Sequence, residues 1–399
     1  MSNVIRLIDR SRTTKDWKCP RSRYYGYEYL GRGITKDTTS LELFTGIVIH
    51  DSLAAIASFH DRGFEVPIDD IANLAFKQMK DELLKASSGV IEAEVEEFAN
   101  EQATLVEGMI RGYFKHVWPR LISQYPKIIA IEKEMEFNLD PATCTCPKDH
   151  WDPKLSECPG CGGTTSPGFI FMAKPDLILE GPDGEWIYVE FKSTSWKKES
   201  WINSWETAVQ LHSSIRACEA TLGKAPSVVQ IIGLYKGFES YGKQSSPFCY
   251  AYMKKGNPPF TEDQVQYAYK AGFKRYPTWE MKGGTEAWID SMPDNVLADQ
   301  FPMPPPVYVN DDLVDAFFRQ RLIRERVIAN AMLVGEFDDP VTGIDAVFPQ
   351  HFDQCIPFIG RPCEFNKLCH GFVAEPLKEG FVLRTPHHQK ELDEVDSNG

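Results

Sequence analysis

The sequence predicts an α/β protein in which long helices cover one side of a sheet. Two kinds of stretch predict this fold. Residues 174–192 have the pattern of two strands joined by a turn, and residues 226–236 form a further strand rich in Val and Ile. Residues 69–86 and 91–125 carry apolar side chains at helical spacing. With 399 residues, the chain can hold two domains or one large domain with insertions.

The composition is that of a packed globular protein, with 42% hydrophobic and 12% aromatic residues. No apolar run approaches the roughly 18 residues that a membrane-spanning helix needs, and the first residues lack the apolar core of a signal peptide. We therefore expect a soluble, cytoplasmic protein. The net charge of −14 argues mildly against broad nucleic-acid binding, but it leaves room for a local basic groove.

The predicted hairpin brings three charged side chains to one point. A five-residue loop at 181–185 sets the strand register so that Asp176 faces Glu190, and directly opposed Cβ atoms lie about 5 Å apart. Lys192 follows Glu190 by two residues and therefore shares its face of the strand. Two carboxylates and one ammonium suit a hard cation such as Mg²⁺ beside an attacked phosphate. The alternative is an edge hairpin whose charged residues face solvent.

The segment before the hairpin predicts one strand. Apolar and acidic residues alternate from Ile128 to Leu139, so that Glu132, Glu134 and Glu136 share one face. One of these glutamates could approach a metal ion at the hairpin. A solvated acidic face is the more common outcome for any one of them.

Two further polar residues flank the hairpin in the chain. His50 follows Gly46 and precedes the apolar stretch 53–59, so we expect it at or near the start of a helix. A single histidine is more often a surface or core residue than a ligand. Gln210 lies on a helix predicted to end at Gly223, where its side chain faces either solvent or the site.

Eight of the ten cysteines fall into two groups, which in an intracellular chain indicates metal binding more than disulfides. The first group lies within residues 140–167, which interrupt the β pattern; its members are Cys144, Cys146, Cys158 and Cys161. The two-residue gap in the second pair lets both sulfurs reach one ion. Four thiolates predict a structural Zn²⁺ in a zinc-ribbon-like insertion, and the alternative is a reduced, metal-free loop.

Three cysteines of the second group lie near the C-terminus, and the fourth has to come from elsewhere in the chain. Cys355, Cys363 and Cys369 cluster in the chain, and Cys19, followed by Pro20, is the only unassigned cysteine with a suitable flank. Cys19 before a proline also fits an ordinary helix start. The three C-terminal cysteines make a shared metal site the preferred interpretation.

The hairpin and the histidine together resemble the RecB-like branch of the PD-(D/E)xK nucleases. Asp176 and the Glu190-x-Lys192 pair stand at the motif positions, and Gly46 and His50 match a Gly-x-x-x-His segment that supplies a metal ligand. The resemblance implies a restriction-endonuclease-like mixed sheet flanked by helices. It also implies hydrolysis of DNA phosphodiester bonds, by exonuclease action on DNA ends, with Mg²⁺ or Mn²⁺ held by His50, Asp176 and Glu190. Lys192 would orient water or stabilise charge.

A third motif of this branch is matched only in part. RecB-like nucleases carry a Gln-x-x-x-Tyr motif on the helix after the catalytic strand. Gln210 matches its first position, whereas Ser214 stands at the tyrosine position. The resemblance implies that Gln210 orients substrate or metal.

The second cysteine group resembles the iron–sulfur nucleases of this branch, which include AddB-type and CRISPR-associated adaptation exonucleases. In them, one cysteine before the nuclease core and three after it hold a 4Fe–4S cluster. The gap between Cys363 and Cys369 matches, and the gap between Cys355 and Cys363 is longer than usual. The resemblance implies that these three residues and Cys19 hold such a cluster and tie the two ends of the chain together. Zinc is the main alternative.

The rest of the chain indicates possible DNA contacts. Aromatic and basic residues interleave within 254–310, which suits a surface where bases stack, although packing against the core fits equally well. The helix predicted over 311–334 is a candidate surface for phosphates, and its arginines are Arg319, Arg321, Arg324 and Arg326.

The sequence thus predicts a DNA nuclease with a defined segment order. The segments are an N-terminal segment (1–60), a helical region (61–127), the nuclease core (128–253) with its insertion (140–167), a Pro- and aromatic-rich connection (254–310), a helix and cysteine segment (311–387) and a disordered tail (388–399). The alternative is a catalytically silent DNA-binding or scaffold protein. No credible motor motif is present, so any helicase partner would be a separate protein.

Overall fold

The computed structural model shows a mixed α/β protein built from several small sheets and flanking helices. It describes residues 6–37, 41–86, 92–140, 161, 168–194, 201–202, 205, 211–240, 243–254, 265–267, 270–333, 343–355, 362–371, 375–386 and 388. The α/β class predicted from the sequence is confirmed at this level. The two halves of the chain interleave, because the N-terminal strand pairs with a strand near residue 170.

Within the described residues the strands form five sheets. They are β1 (Arg6–Asp9), β2 (Ile34–Lys36), β3 (Lys127–Ile131), β4 (Met135–Asn138), β5 (Phe169–Ala173), β6 (Leu177–Glu180), β7 (Trp186–Thr194), β8 (Val228–Tyr235), β9 (Phe238–Ser240), β10 (Lys243–Ser245), β11 (Tyr250–Lys254), β12 (Val265–Gln266), β13 (Phe273–Pro277), β14 (Val307–Tyr308) and β15 (Phe381–Leu383). The largest sheet has the order β14-β8-β7-β6-β3. It is mixed, because β7 and β8 are parallel while β6 is antiparallel to both β7 and β3.

The helices surround these sheets. They are α1 (Arg10–Lys18), α2 (Pro20–Arg23), α3 (Leu41–Asp61), α4 (Ile68–Ala86), α5 (Glu92–Gly112), α6 (Trp118–Gln124), α7 (His212–Leu222), α8 (Gly284–Asp290), α9 (Asp294–Gln300), α10 (Asp311–Leu333), α11 (Gly343–Val347) and α12 (Asn366–Cys369), with π-helical turns at Tyr24–Glu28 and Tyr113–Val117 and short 3₁₀ turns at Tyr29–Gly31, Thr278–Glu280, Phe352–Gln354 and Pro376–Lys378. Helices α3, α4 and α5 pack with one face of the main sheet in the largest core cluster. The long helices predicted near 69–86 and 91–125 are therefore confirmed.

The hairpin of β6 and β7 has the predicted register. Glu180 pairs with Trp186 and Leu177 pairs with Val189. The loop closes through a hydrogen bond from the Gly181 amide to the Glu185 carbonyl, with 2.9 Å between nitrogen and oxygen. Gly184 supplies the positive φ, 80°, that such a tight turn needs.

The single strand predicted from Ile128 to Leu139 is wrong. The segment forms β3 and β4, which belong to different sheets. The break falls at Glu132, which has a φ of 44°, a left-handed conformation that is uncommon for a residue other than glycine. The Glu132 amide donates to the Asp176 carbonyl at 3.0 Å. Alternation of apolar and acidic residues cannot distinguish one strand from two strands joined by such a turn.

Helix α3 is the one described helix that is long and apolar enough, by length and composition, to cross a membrane. In the fold it is a core helix, because Val48, Ile49, Leu53 and Ile56 are buried in the largest core cluster. The helix begins well before the apolar stretch used to predict it. His50 consequently lies within the helix and not at its start, which corrects the sequence-based expectation.

Two of the four arginines of α10 point inward and do not contribute to the exposed basic surface predicted for this helix. Arg321 and Arg324 both pair with Asp16 of α1, at 2.9 and 3.0 Å between nitrogen and oxygen. Arg326 is exposed and pairs with Asp140, and Arg319 is exposed. The predicted phosphate-binding surface is therefore wrong for the two inward arginines, which instead hold the N-terminal helix against α10.

A second set of buried ion pairs joins the same two regions. The fully buried Arg23 guanidinium donates to both carboxylate oxygens of Glu325, at 2.5 and 2.6 Å, and to Glu28 at 3.2 Å. Arg6 also pairs with Glu28, at 2.9 Å. The contact between Arg23 and Glu325 joins positions 302 residues apart in the chain.

The buried ion pairs predict a loss of stability in acid. Burial alone would raise the pKa of Glu28, but Arg23 and Arg6 outweigh it and lower that pKa. Contacts with Arg324, Arg23 and Arg321 likewise outweigh burial and lower the pKa of Asp16. A carboxyl with a lowered folded-state pKa stabilises the fold above its unfolded pKa and loses that contribution as pH falls through the folded value.

We therefore expect the free energy of unfolding to fall as pH drops below about 4. Chemical denaturation across a pH series measures it. An Arg23→Met variant should lose part of this acid dependence, because Glu28 then keeps fewer cationic partners. An acid dependence identical in the variant and the parent would contradict this account.

The aromatic residues between 254 and 310 mostly pack inward. Trp288 is buried in the largest core cluster, and Tyr267, Tyr276 and Trp279 pack against it. Of the two interpretations left open by the sequence, core packing is the one that these described residues support.

Candidate metal centre

Three side chains with metal-ligand atoms meet at one edge of the main sheet. His50 comes from α3, Glu132 from the break between β3 and β4, and Asp176 from the residue before β6. Their ligand atoms all lie within 4.8 Å of one another, which among the described residues is the one such group of three or more His, Cys, Asp or Glu. His50 Nδ1 lies 3.3 Å from Asp176 Oδ1 and 3.5 Å from Glu132 Oε1.

The electrostatics of this group favour a positive charge between its carboxylates. Burial lowers the pKa of His50, but hydrogen bonds to Asp176 and Glu132 outweigh it and raise the pKa to about 10. A proton on the imidazole thus lies between the two acidic side chains. A divalent cation bound by the same atoms would take the place of that proton, because a ligating imidazole must be neutral.

Asp176 and Glu190 lie close enough to influence each other, as the hairpin register predicts. Burial raises the pKa of Asp176, and the charge of Glu190 raises it further. Asp176 keeps one oxygen in the ligand group, while its Oδ2 accepts a hydrogen bond from the Phe191 amide at 2.7 Å. This bond fixes the carboxylate relative to β7.

Glu190 lies outside the group of three and is held by other side chains. Its Oε1 accepts from Arg10 Nη1 at 2.7 Å and from the Lys192 ammonium, and its Oε2 accepts from the Tyr188 hydroxyl. Only 1% of the Glu190 side chain is exposed. Burial would raise the pKa of its carboxyl, but Arg10 and Lys192 lower this pKa to about 2. Glu190 is therefore ionised, and its role as a metal ligand stays a prediction.

The sequence did not single out three residues at this site. Arg10 pairs with Glu190, and Lys174 pairs with Glu132. The Tyr188 hydroxyl donates a hydrogen bond to Glu190. Tyr188 carries a weak signal, because it lies two residues before Glu190 on the same face of a strand. Arg10 carries none, since it lies 180 residues away in the chain.

Glu132 is the member of the acidic stripe that the structure selects. Glu136 lies in β4 with an exposed side chain, and Glu134 lies 3.3 Å from His388 Nδ1. We expect Glu132→Gln to weaken the binding of Mn²⁺ by about tenfold or more, because it removes one of the two charged ligands around His50. Glu136→Gln should leave binding unchanged, and isothermal titration calorimetry of both variants compares them. Equal affinities in the two variants would exclude Glu132 from the centre.

Several predicted site residues lie outside the described part of the chain. These are Gln210 and three of the predicted zinc ligands, Cys144, Cys146 and Cys158. Cys161, the fourth, is exposed. Ser214, at the tyrosine position of the Gln-x-x-x-Tyr motif, is buried in α7.

The four cysteines of the second group do come near one another. The Cys363 amide donates to the Cys355 carbonyl at 3.0 Å, and the His351 amide lies 3.5 Å from the Cys19 sulfur. Burial raises the pKa of Cys369 to about 12, and the other three thiols influence it through their charge. Within the described residues no three cysteine sulfurs lie within 4.8 Å of one another, so they are not gathered as ligands of a single ion would be.

No protein-family model matches the chain, and no curated protein matches it. The likeness to RecB-like nucleases therefore rests on the order and placement of individual site residues.

Proposed function

We propose that the chain is a metal-dependent deoxyribonuclease that hydrolyses phosphodiester bonds. The observation that carries the proposal is the convergence of His50, Glu132 and Asp176 beside the Glu190–Lys192 pair. One imidazole and two carboxylates suit Mg²⁺ or Mn²⁺. A cationic side chain next to such a centre is what a reaction at an anionic phosphate needs.

The residues of the centre would have separate roles in the reaction. His50, Glu132 and Asp176 would hold the cation, with Glu190 as a further candidate ligand. When bound, the cation would polarise the phosphate and lower the pKa of a water molecule. Lys192, held by Glu190, would orient the attacking water or stabilise negative charge on the phosphorane-like transition state. Gln210 would orient substrate or metal, as the family motif implies.

DNA as the substrate, and exonuclease action on its ends, are proposed from the resemblance to RecB-like nucleases. The chain would act as a soluble cytoplasmic protein, alone or with a separate helicase or recombination partner. The second candidate function is a catalytically silent DNA-binding or scaffold protein. Its support is that the buried Glu190 carboxylate is already paired with two cations, Arg10 and Lys192, so that its charge is balanced without a metal ion.

We further propose that Cys19, Cys355, Cys363 and Cys369 hold a 4Fe–4S cluster. In such a cluster each thiolate binds a different iron, so the sulfurs stand further apart than around a single ion. The support for this proposal is the resemblance to the iron–sulfur nucleases, together with the influence that the other three thiols exert on the pKa of Cys369; zinc is the alternative. A structural Zn²⁺ at Cys144, Cys146, Cys158 and Cys161 is proposed from the spacing of those cysteines alone.

One preparation tests these proposals together. The protein is purified without oxygen, analysed for iron, sulfide and zinc, and assayed on end-labelled DNA with and without Mn²⁺. We expect about four irons and one zinc per chain, with cleavage only when Mn²⁺ is present. Zinc alone, with no cleavage, would overturn both the cluster and the nuclease and leave the DNA-binding alternative.

A further inference from the structure

A cavity of about 300 Å³ opens beside the metal centre. It lies between the start of α1, the end of β5 and the start of α7, and its polar lining includes Arg10, Lys174, Ser213 and Ser214. The volume is at the lower end of that of small-molecule sites. A cavity of this size can hold a small charged group and part of the nucleotide that carries it, but it cannot hold a duplex.

The cavity shares two residues with the interactions that surround the metal centre. Arg10 pairs with Glu190 at 2.7 Å, and Lys174 pairs with Glu132 at 3.0 Å. Both cations remain accessible, with 38% of the Arg10 and 46% of the Lys174 side chain exposed. Each cation can therefore contact an anion in the cavity while it keeps its ion pair with a glutamate beside the metal centre.

Met172 and Ala173 add apolar surface to the lining, and its other members are polar. Ser213 and Ser214 are buried, and serine hydroxyls rotate to donate or accept hydrogen bonds. His388 stands at 3.3 Å from Glu134 and 3.8 Å from Asp9. Asp9 is the acidic residue in the lining, and its Oδ1 already accepts the Arg12 amide at 2.7 Å. The lining therefore carries two cations, Arg10 and Lys174, and one carboxylate, Asp9.

A small side chain helps to keep the cavity open. Ser214 stands where the family motif has tyrosine, and it lines the cavity. A tyrosine ring at this position would occupy space beside Arg10 and Lys174. The departure from the motif, which the sequence left unexplained, thus coincides with an anion-sized space next to the metal centre.

We propose that this cavity binds the terminal phosphate monoester of a DNA strand, so that the chain acts on phosphorylated ends. The inference rests on the proposed function, because the cavity has a role in cleavage only if the neighbouring centre cleaves. A terminal phosphate carries close to two negative charges at neutral pH, one more than an internal diester. Two cations and two hydroxyl groups match such a group better than they match the uninterrupted backbone.

Binding without cleavage gives the first test. Internally labelled oligonucleotides carry a 5′ phosphate, a 3′ phosphate or hydroxyls at both ends, and their Kd is measured by fluorescence anisotropy in EDTA. Hydrogen bonds to a charged group contribute about 1.5–3 kcal/mol, so one phosphorylated end should bind about tenfold or more tightly than the hydroxyl end. Equal Kd values for all three would overturn the proposal whether or not the chain cleaves.

Variants assign the preference to the cavity. Lys174→Gln removes one cation, and Ser214→Tyr fills the space; in both, the Kd ratio between phosphorylated and hydroxyl ends should fall towards one. Lys127→Gln is the matched control, because Lys127 is an exposed lysine that pairs with Glu180 away from the cavity. A preference that survives both cavity variants would place the terminal phosphate elsewhere and overturn the proposal. Thermal unfolding checks that each variant is folded.

Cleavage of the same substrates with Mn²⁺ separates the two proposals. Faster cleavage of a phosphorylated end than of a hydroxyl end or a circular strand supports both. Cleavage that ignores the end, with circles cut equally, keeps the nuclease and rejects the cavity's role. A phosphate preference in binding with no cleavage keeps the cavity and rejects the nuclease.

Discussion

Asp176→Asn is expected to lower metal-dependent cleavage of DNA by about a thousandfold or more. The substitution replaces a charged ligand with a neutral amide, and it lies at the residue that connects His50 to the Phe191 amide. Glu190→Gln and Lys192→Ala should have comparable effects, since they disrupt the charged pair beside the centre. Initial rates on end-labelled DNA with Mn²⁺ measure the loss.

The hairpin offers a matched control. Glu180 is a carboxylate at the far end of the same strand and pairs with Lys127, so Glu180→Gln should cleave like the parent. DNA binding by Asp176→Asn, measured without metal, should remain largely intact because the change removes a negative charge. Full activity in Asp176→Asn would end the assignment of this centre as catalytic.

Arg23→Met is expected to lower the free energy of unfolding by about 3–5 kcal/mol. Methionine fills part of the same space but leaves the fully buried Glu325 carboxylate without its two hydrogen bonds from Arg23. Burial alone would lower the pKa of Arg23, but the carboxylates of Glu325 and Glu28 outweigh burial and raise that pKa, so the guanidinium stays charged. Breaking one side of a buried ion pair is costly because the remaining charge has lost its solvation as well.

Urea denaturation of the parent and the variant gives the difference in free energy. Arg326→Met is the control, because Arg326 lies on the same helix, is exposed and pairs with Asp140; exposed pairs contribute about 0–1 kcal/mol. A loss in Arg23→Met no larger than in Arg326→Met would show that the buried network is not what holds α1 and α2 to α10.

The features that the sequence predicted correctly all depend on residues that are close together in the chain. The loop at 181–185 fixed the hairpin register, and the register brought Asp176 near Glu190. Apolar spacing located the long helices, and the Glu-x-Lys pattern put Glu190 and Lys192 on one face. Each of these features depends on residues that are close in the sequence, so local periodicity and turn chemistry are enough to predict them.

The tertiary structure decided which distant groups meet. A left-handed turn selected Glu132 from three equivalent glutamates, and Arg10 reached Glu190 from 180 residues away. Arg321 and Arg324 point inward because they pair with Asp16, which lies in a different helix. The spacing of residues within their own helix does not reveal this partner. Charge pairing across such separations depends on how the elements pack, and spacing within one segment carries no information about the partner that another segment supplies.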